Sequence, residues 1–301
     1  MEKSETWGIV EVFIGSMLWG TIGIFVLVMD RLGSSSSLTA FLRMAFAFVI
    51  LFLLTLFHGG WKALRISKKG LFWSALLGLV CQGLYNVFYN EAIVEIGMTM
   101  SAVLLNVAPL CTMTLSHFLF REQFSLRKWT ALFLCMAGCF YTVTGGHLSF
   151  GNLPALGVLF GLLSGISYGM TSIFGKLAGE RTDVFTMSLY SYFFAALFLL
   201  LFSHSFLYEP WNGPVLAAGF LYALIPTAIA YILYYGGVQK IKENSRVPVI
   251  ASAETVVAAI LGTFLFHESL SWAQALGILL VLFSIVLMNG KMFHVKQKER
   301  I

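Results

Sequence analysis

LSHFLFREQFS at 115–125 returns as LGTFLFHESLS at 261–271, and one shift of 146 lays Leu115, Phe118, Leu119, Phe120, Glu122 and Ser125 on Leu261, Phe264, Leu265, Phe266, Glu268 and Ser271. The same shift carries Tyr85 and Tyr89 onto Tyr231 and Tyr235, so the repeated unit is about half the chain. Trp19-Gly20 and Tyr168-Gly169 correspond at a shift of 149. The duplication divides the chain into 1–148 and 149–301.

Composition says what the halves are immersed in. Charged residues make up 11% and hydrophobic ones 58%, where a soluble domain carries about 25% charge. Apolar runs of roughly 20 residues follow one another, the length that crosses about 30 Å of hydrocarbon. The expectation is an all-α integral membrane protein with the lipid bilayer as its surroundings and ten transmembrane helices. They fall near 8–29, 38–57, 70–91, 97–119, 128–145, 153–175, 184–204, 213–235, 247–267 and 272–290. The start, MEKSETWGIVEVF, lacks the charge pattern and cleavage site of a removable signal peptide and reads as retained.

Five spans per half is an odd number, so if the first half starts inside, the second starts outside. With both termini cytoplasmic, 17 of the 19 Lys and Arg residues lie on the inner side, leaving Arg31 outside and Arg43 within a span. The net charge of +5 thus reads as topology rather than as a surface for nucleic acid. Two inverted five-helix repeats with a polar site at the midplane are an architecture of alternating-access transporters.

Polar and small residues mark the inward faces. Gly157, Gly161, Gly165 and Gly169 repeat at four-residue steps in the sixth span, a pattern that lets another backbone approach. Packing against Gly15, Ser16, Gly20 and Gly23 of the first span is the expectation, with dimerisation as the alternative. Gln82, Tyr85, Asn86, Tyr89 and Asn90 share one helical face of the third span, matched by Thr227, Tyr231, Tyr234 and Tyr235 in the eighth. Such stripes line a cavity or hold helices together by hydrogen bonds. Glu254 and Arg43 are ionisable groups inside apolar spans, which default to a functional reading with a partner. For Arg43 the structural alternative is a pair with Glu91, and for Glu254 a hydrogen bond at a helix crossing. Pro109 removes one helix hydrogen bond in the fourth span.

Parts for enzyme chemistry are missing. GMTSIFGKL at 169–177 departs from a phosphate-binding loop in its glycine spacing and has no Ser or Thr after Lys176. The six histidines are scattered, and Cys81, Cys111, Cys135 and Cys139 lie in apolar spans without metal-ligand spacing. No catalytic group, metal site or cofactor is expected.

LWGTIGIF at 18–25, Arg43 early in the second span, SAVLLNVAPLCTMTLSHFLFRE at 101–122 and SAETVVAAILGTFLFHE at 252–268 resemble the EamA-type branch of the drug/metabolite transporter superfamily over essentially the whole chain. The resemblance implies ten helices around a central cavity, and export or exchange of amino acids, related metabolites or drugs without ATP. The family commonly has Glu-Pro where this chain has Glu254-Thr255, so the acid is kept and the proline kink is not. Glu122 and Glu268 match the family's loop acid and read as holding the short turn before the next helix. The candidate substrate-binding set is Trp19, Gln82, Tyr85, Asn86, Tyr89, Asn106, Tyr168, Tyr231, Tyr234 and Glu254. Glu254, with Arg43 and Glu91, forms the candidate coupling or charge-pair group, and protons are candidate co-substrates. Three readings stand: a secondary transporter of small zwitterionic metabolites in a bacterial inner membrane, an exporter of amphipathic cations, and a membrane scaffold or receptor.

Overall fold

The computed structural model describes residues 2–147, 154–180, 182–202, 209, 211–266 and 271–289. All regular secondary structure among them is helical, as apolar surroundings require of a chain that must satisfy its backbone groups within each segment. Glu268, Arg181, the histidines at 204, 267 and 294 and the basic tail after 289 lie outside the described residues.

The helices are α1 (Glu2–Trp19), α2 (Ile22–Arg31), α3 (Ser36–Ala63), α4 (Lys68–Gly78), α5 (Tyr85–Ile96), α6 (Met98–Leu105), α7 (Ala108–Phe120) and α8 (Leu126–Thr144) in the first half. The second half holds α9 (Ala155–Gly179), α10 (Val184–Phe202), α11 (Gly213–Ala223), α12 (Ala230–Lys240), α13 (Val247–Ala251), α14 (Ala253–Phe266) and α15 (Trp272–Asn289). Side-chain caps mark where several begin: Ser35, Ser67, Ser125 and Asn212 accept from the backbone N–H of Leu38, Gly70, Lys128 and Val215.

Among the described residues, nine helical segments are long and apolar enough to cross a membrane. The expected span at 128–145 is present as α8, of 19 residues, but Arg127 and Lys128 in its first turn hold its average hydropathy down. Gly138 of α8 and Gly277 of α15 bring these two helices together, since a Cβ on Gly138 would lie 2.9 Å from the Gly277 carbonyl oxygen.

Several spans are interrupted, and the chemistry of each break is local. Pro226 has no N–H to give the preceding turn, and Thr227 Oγ1 donates to Tyr222 O at 3.0 Å instead, within a π-helical turn over Leu224–Ile229 that joins α11 to α12. A second π turn, Leu79–Leu84, joins α4 to α5 at the position related by the repeat. Between α6 and α7, Asn106 Nδ2 donates to Ala102 O at 3.0 Å while Pro109 starts the new helix. At the related position Ser252 separates α13 from α14, its hydroxyl donating to Val249 O at 2.6 Å. The ninth span is therefore broken after all, by a serine two residues before Glu254 rather than by a proline after it.

The glycine ladder does not meet the glycines of the first span. A Cβ on Gly161 would lie 2.5 Å from Leu104 Cδ1, one on Gly165 would lie 2.8 Å from Leu104 O, and one on Gly169 would lie 2.7 Å from Ala108 O. Thus α9 packs on the broken α6–α7 segment, where small residues let the freed backbone come close. The first-span glycines meet the second half instead: a Cβ on Gly15 would lie 2.7 Å from Ala230 O, and one on Gly20 2.8 Å from Glu254 O. Gly165→Leu should lower stability by about 3 kcal/mol, near the top of the usual range for an overfilled interior, and Gly161→Leu should act likewise. Melting of the purified variants measures it; unchanged melting in both would place the ladder against lipid.

Candidate functional site

A cavity of about 600 Å³ lies between the halves. Trp19, Arg43, Tyr85, Asn86, Tyr89, Tyr168, Tyr231 and Glu254 all stand in its wall, brought together from six of the expected spans. One end reaches Asp30 and Ser36, both exposed, at the link between α2 and α3. Toward the other end Trp19, Tyr192, Tyr231, Tyr234 and Tyr235 are buried together. The Trp19 ring centre is 4.6 Å from those of Tyr231 and Tyr234, and Tyr192 and Tyr235 approach Tyr231 at 5.7 Å and 5.4 Å.

Each charged group sits where a helix irregularity puts it. Glu254 occupies the first turn of α14, at the positive end of the helix dipole, and Tyr168 OH donates to its Oε1 at 2.9 Å. Arg43 does not pair with Glu91, which is exposed on α5. Its Nε donates to Thr227 Oγ1 at 2.9 Å, its Nη1 to Tyr222 OH at 3.4 Å, and its guanidinium carbon lies 4.9 Å from the Tyr222 ring centre. The π turn at Leu224–Ile229 presents both partners. It also explains why Tyr222 escapes a 3.6-residue reading: a regular helix would put it opposite Tyr231, and the extra residue in the turn brings it round to the cavity wall that both line.

Other expected residues fall beside the cavity. Gln82 lies behind Tyr231, whose OH donates to Gln82 Oε1 at 3.5 Å. Asn106 and Tyr234 line a smaller adjoining space of about 90 Å³ that also touches Tyr168 and Glu254. Asn86 Nδ2 donates to Gln82 O at 2.5 Å, supporting the π turn at Leu79–Leu84. Asp30, Thr39 and Tyr222 also line the cavity; Asp30 looks in sequence like an ordinary span-end charge. No cluster able to hold a metal ion occurs among the described residues.

Away from the cavity, at the α1 N-terminal face, a polar network closes the molecule. Glu122 Oε1 accepts from the Asn244 backbone N–H and Oε2 from that of Ser245 at 3.2 Å, with further bonds from Ser245 Oγ and from Lys128 Nζ at 3.5 Å. Glu122 therefore holds the turn before α13 in the other half. Its own turn is held as well, by the carboxylate's bond to Lys128 in the first turn of α8 and by His117 Nδ1 against Glu122 O at 2.7 Å. Asn244 Nδ2 donates to Ser172 Oγ at 3.0 Å, and Arg246 pairs with Glu5 at 2.9 Å.

The sequence pattern of the EamA-like transporter family matches residues 6–144 and then, a second time, residues 155–290. The chain belongs to that family. Among its relatives, an uncharacterized transporter of Archaeoglobus fulgidus is 27% identical over 283 residues, 93% of this chain and 96% of its own. The uncharacterized inner membrane transporter YicL of Salmonella typhimurium is 23% identical, covering 94% of this chain and 95% of its own length. The uncharacterized transporter YoaV of Bacillus subtilis is 25% identical over 73% of this chain and 76% of its own. A crystal structure superposes with a TM-score of 0.80 at 18% identity, covering 96% of this chain and 98% of that one, which gives the EamA-like chain a known fold. This is a multi-pass membrane protein of a transporter family.

Proposed function

We propose that this EamA-like protein is an ATP-independent, alternating-access transporter of amino acids or related small metabolites, and not an enzyme. The observation that carries the reading is the cavity: Arg43 and Glu254 supply opposite charges to one aromatic-walled space that reaches solvent at one face and ends in buried rings toward the other. A zwitterion suits such walls. Ten helices in two inverted repeats, 1–148 and 149–301, account for the paired π turns, for the paired breaks at Asn106 and Ser252, and for the two family matches. Repeat-related helix pairs support this too, since α1 packs on α12 as α9 packs on α5. Such repeats alternate around a fixed midplane site.

In a bacterial inner membrane with both termini cytoplasmic, the solvent-reaching end of the cavity faces outward. A cysteine at position 64, Leu64→Cys in a cysteine-free background, should then resist an impermeant thiol reagent in intact cells. Rapid labelling would reverse the topology. Aromatic faces also attract cations, so amphipathic cations are the second reading of the cargo. Flux of radiolabelled amino acids into proteoliposomes tests the first reading, and flux of a fluorescent amphipathic cation the second. A thermal-shift screen of both ligand classes supports it, because ligands that bind the native state raise apparent stability. Absence of flux and of shifts in both classes would favour a scaffold.

A further inference from the structure

The alternating-access reading requires a second half-route that is shut in this state, and the repeat says where to look. The shift of 149 lays Val26, Thr39 and Arg43 on Gly175, Ser188 and Tyr192, and the shift of 146 lays Tyr89 on Tyr235. Val26, Thr39, Arg43 and Tyr89 all line the open cavity. Their counterparts are packed together: a Cβ on Gly175 would lie 2.8 Å from the Tyr235 ring, whereas one on Gly23, a turn from Val26 and facing the open cavity, would meet nothing within 4 Å.

That packed seam is more polar than a helix interface needs. Ser188, Tyr192 and Tyr235 are fully buried, and Ser188 Oγ, Tyr192 OH and Tyr235 OH have no hydrogen-bond partner among the described residues. Hydroxyls left dry and unpaired are costly in a finished interior and call for an explanation. The bonds across the seam lie at its rim: Gln239 Nε2 donates to Gly175 O at 2.8 Å, and Lys176 Nζ to Ile241 O at 3.1 Å and Lys242 O at 2.7 Å. Lipid-facing surface would not keep such hydroxyls, and pure packing would not need them. A surface that is wetted in another state would need both the small residues and the hydroxyls.

We infer that the inner half-route runs between the C-terminal half of α9, the N-terminal half of α10 and the C-terminal half of α12, walled by Gly175, Ser188, Tyr192 and Tyr235. It rests on the alternating-access reading. When α9 and α12 part, water and substrate reach the Tyr192, Tyr235 and Ser188 hydroxyls, and Trp19 and Tyr231 stand at the junction with the outer cavity. The rim bonds of Lys176 and Gln239 must break in that step.

The test is accessibility from the inner side. Ser188→Cys and Ser172→Cys, the latter one turn before Gly175 on α9 and the counterpart of Gly23 in the open cavity at the shift of 149, are made in a background without native cysteines, with Leu132→Cys of α8, 1% exposed, as a buried control. Inside-out vesicles receive an impermeant maleimide. Because a minor state populated at about 1% is enough to admit reagent, labelling at 188 and 172 should exceed that at 132 by at least about tenfold. Labelling no faster than at 132 in both variants overturns the half-route. Flux of radiolabelled amino acids in proteoliposomes is followed alongside. Maleimide at 188 should block it; transport that continues through labelled protein removes the half-route while leaving the transport reading intact. Fast labelling in a protein that moves neither amino acids nor amphipathic cations keeps the wetted seam and removes the cargo assignment.

Discussion

Glu254→Gln should abolish pH-driven transport while leaving exchange between two filled compartments intact. Gln has the size of the protonated acid and its side-chain carbonyl can still accept from Tyr168 OH, which now donates to Glu254 Oε1 at 2.9 Å. What it cannot do is release a proton. With the hydrogen bond retained, stability should change by less than about 1 kcal/mol, so a loss of coupling would be read on a folded protein. Because Glu254 lies in both the large cavity and the small adjoining one, a proton and a substrate can compete for it without a separate relay. Ligand binding, pH-driven flux and melting on one purified sample distinguish the outcomes. Loss of binding as well would make Glu254 the site for a substrate amine, and a collapsed melting temperature would make it a structural group. Normal behaviour in all three would remove it from the mechanism.

Much of this site was legible because membranes punish unnecessary polarity. Glu254, Arg43 and the aromatic stripes stand out of apolar spans, and the cavity gathers Trp19, Tyr85, Tyr168 and Tyr231 as the repeat implied. What escaped was everything that depends on a helix losing its period. Thr227 lies on the expected stripe, but the π turn before α12 brings Tyr222 to Arg43 beside it, and no 3.6-residue count places Tyr222 there. The serine break before Glu254 was hidden for a related reason. Ser252 interrupts α13–α14 by donating to Val249 O, a choice that serine makes in some helices and not in others. The glycine ladder is the packing face its spacing implies, but its partner is α6–α7 and not the first span, since small-residue spacing reports close approach and carries no address. Glu122 looks purely local in sequence, three residues before the Ser125 cap, and it does reach Lys128 in the next helix, but its carboxylate is also bonded 122 residues away at Asn244.

Removing that carboxylate should be the most destabilising of the single changes considered. In Glu122→Ala the backbone N–H groups of Asn244 and Ser245 lose their acceptor in a place where both residues are nearly fully buried. Lys128, 6% exposed, keeps only Glu243, 3.0 Å away. Breaking a buried ion pair by deleting one partner costs about 3–5 kcal/mol, and the melting temperature should fall by roughly 10 °C at about 2–4 °C per kcal/mol. Lys128→Met added to Glu122→Ala should recover part of the loss, because the stranded cation is then gone. The location of the damage separates a bond across the halves from a local cap. Backbone amides at 243–246 should exchange hydrogen much faster in Glu122→Ala, while the amide at 122, which donates to Ser116 O at 3.4 Å, and that of Lys128, which donates to Ser125 Oγ, stay protected. Unchanged protection at 243–246 would mean that the turn before α13 holds itself, and that closure of this face owes nothing to Glu122.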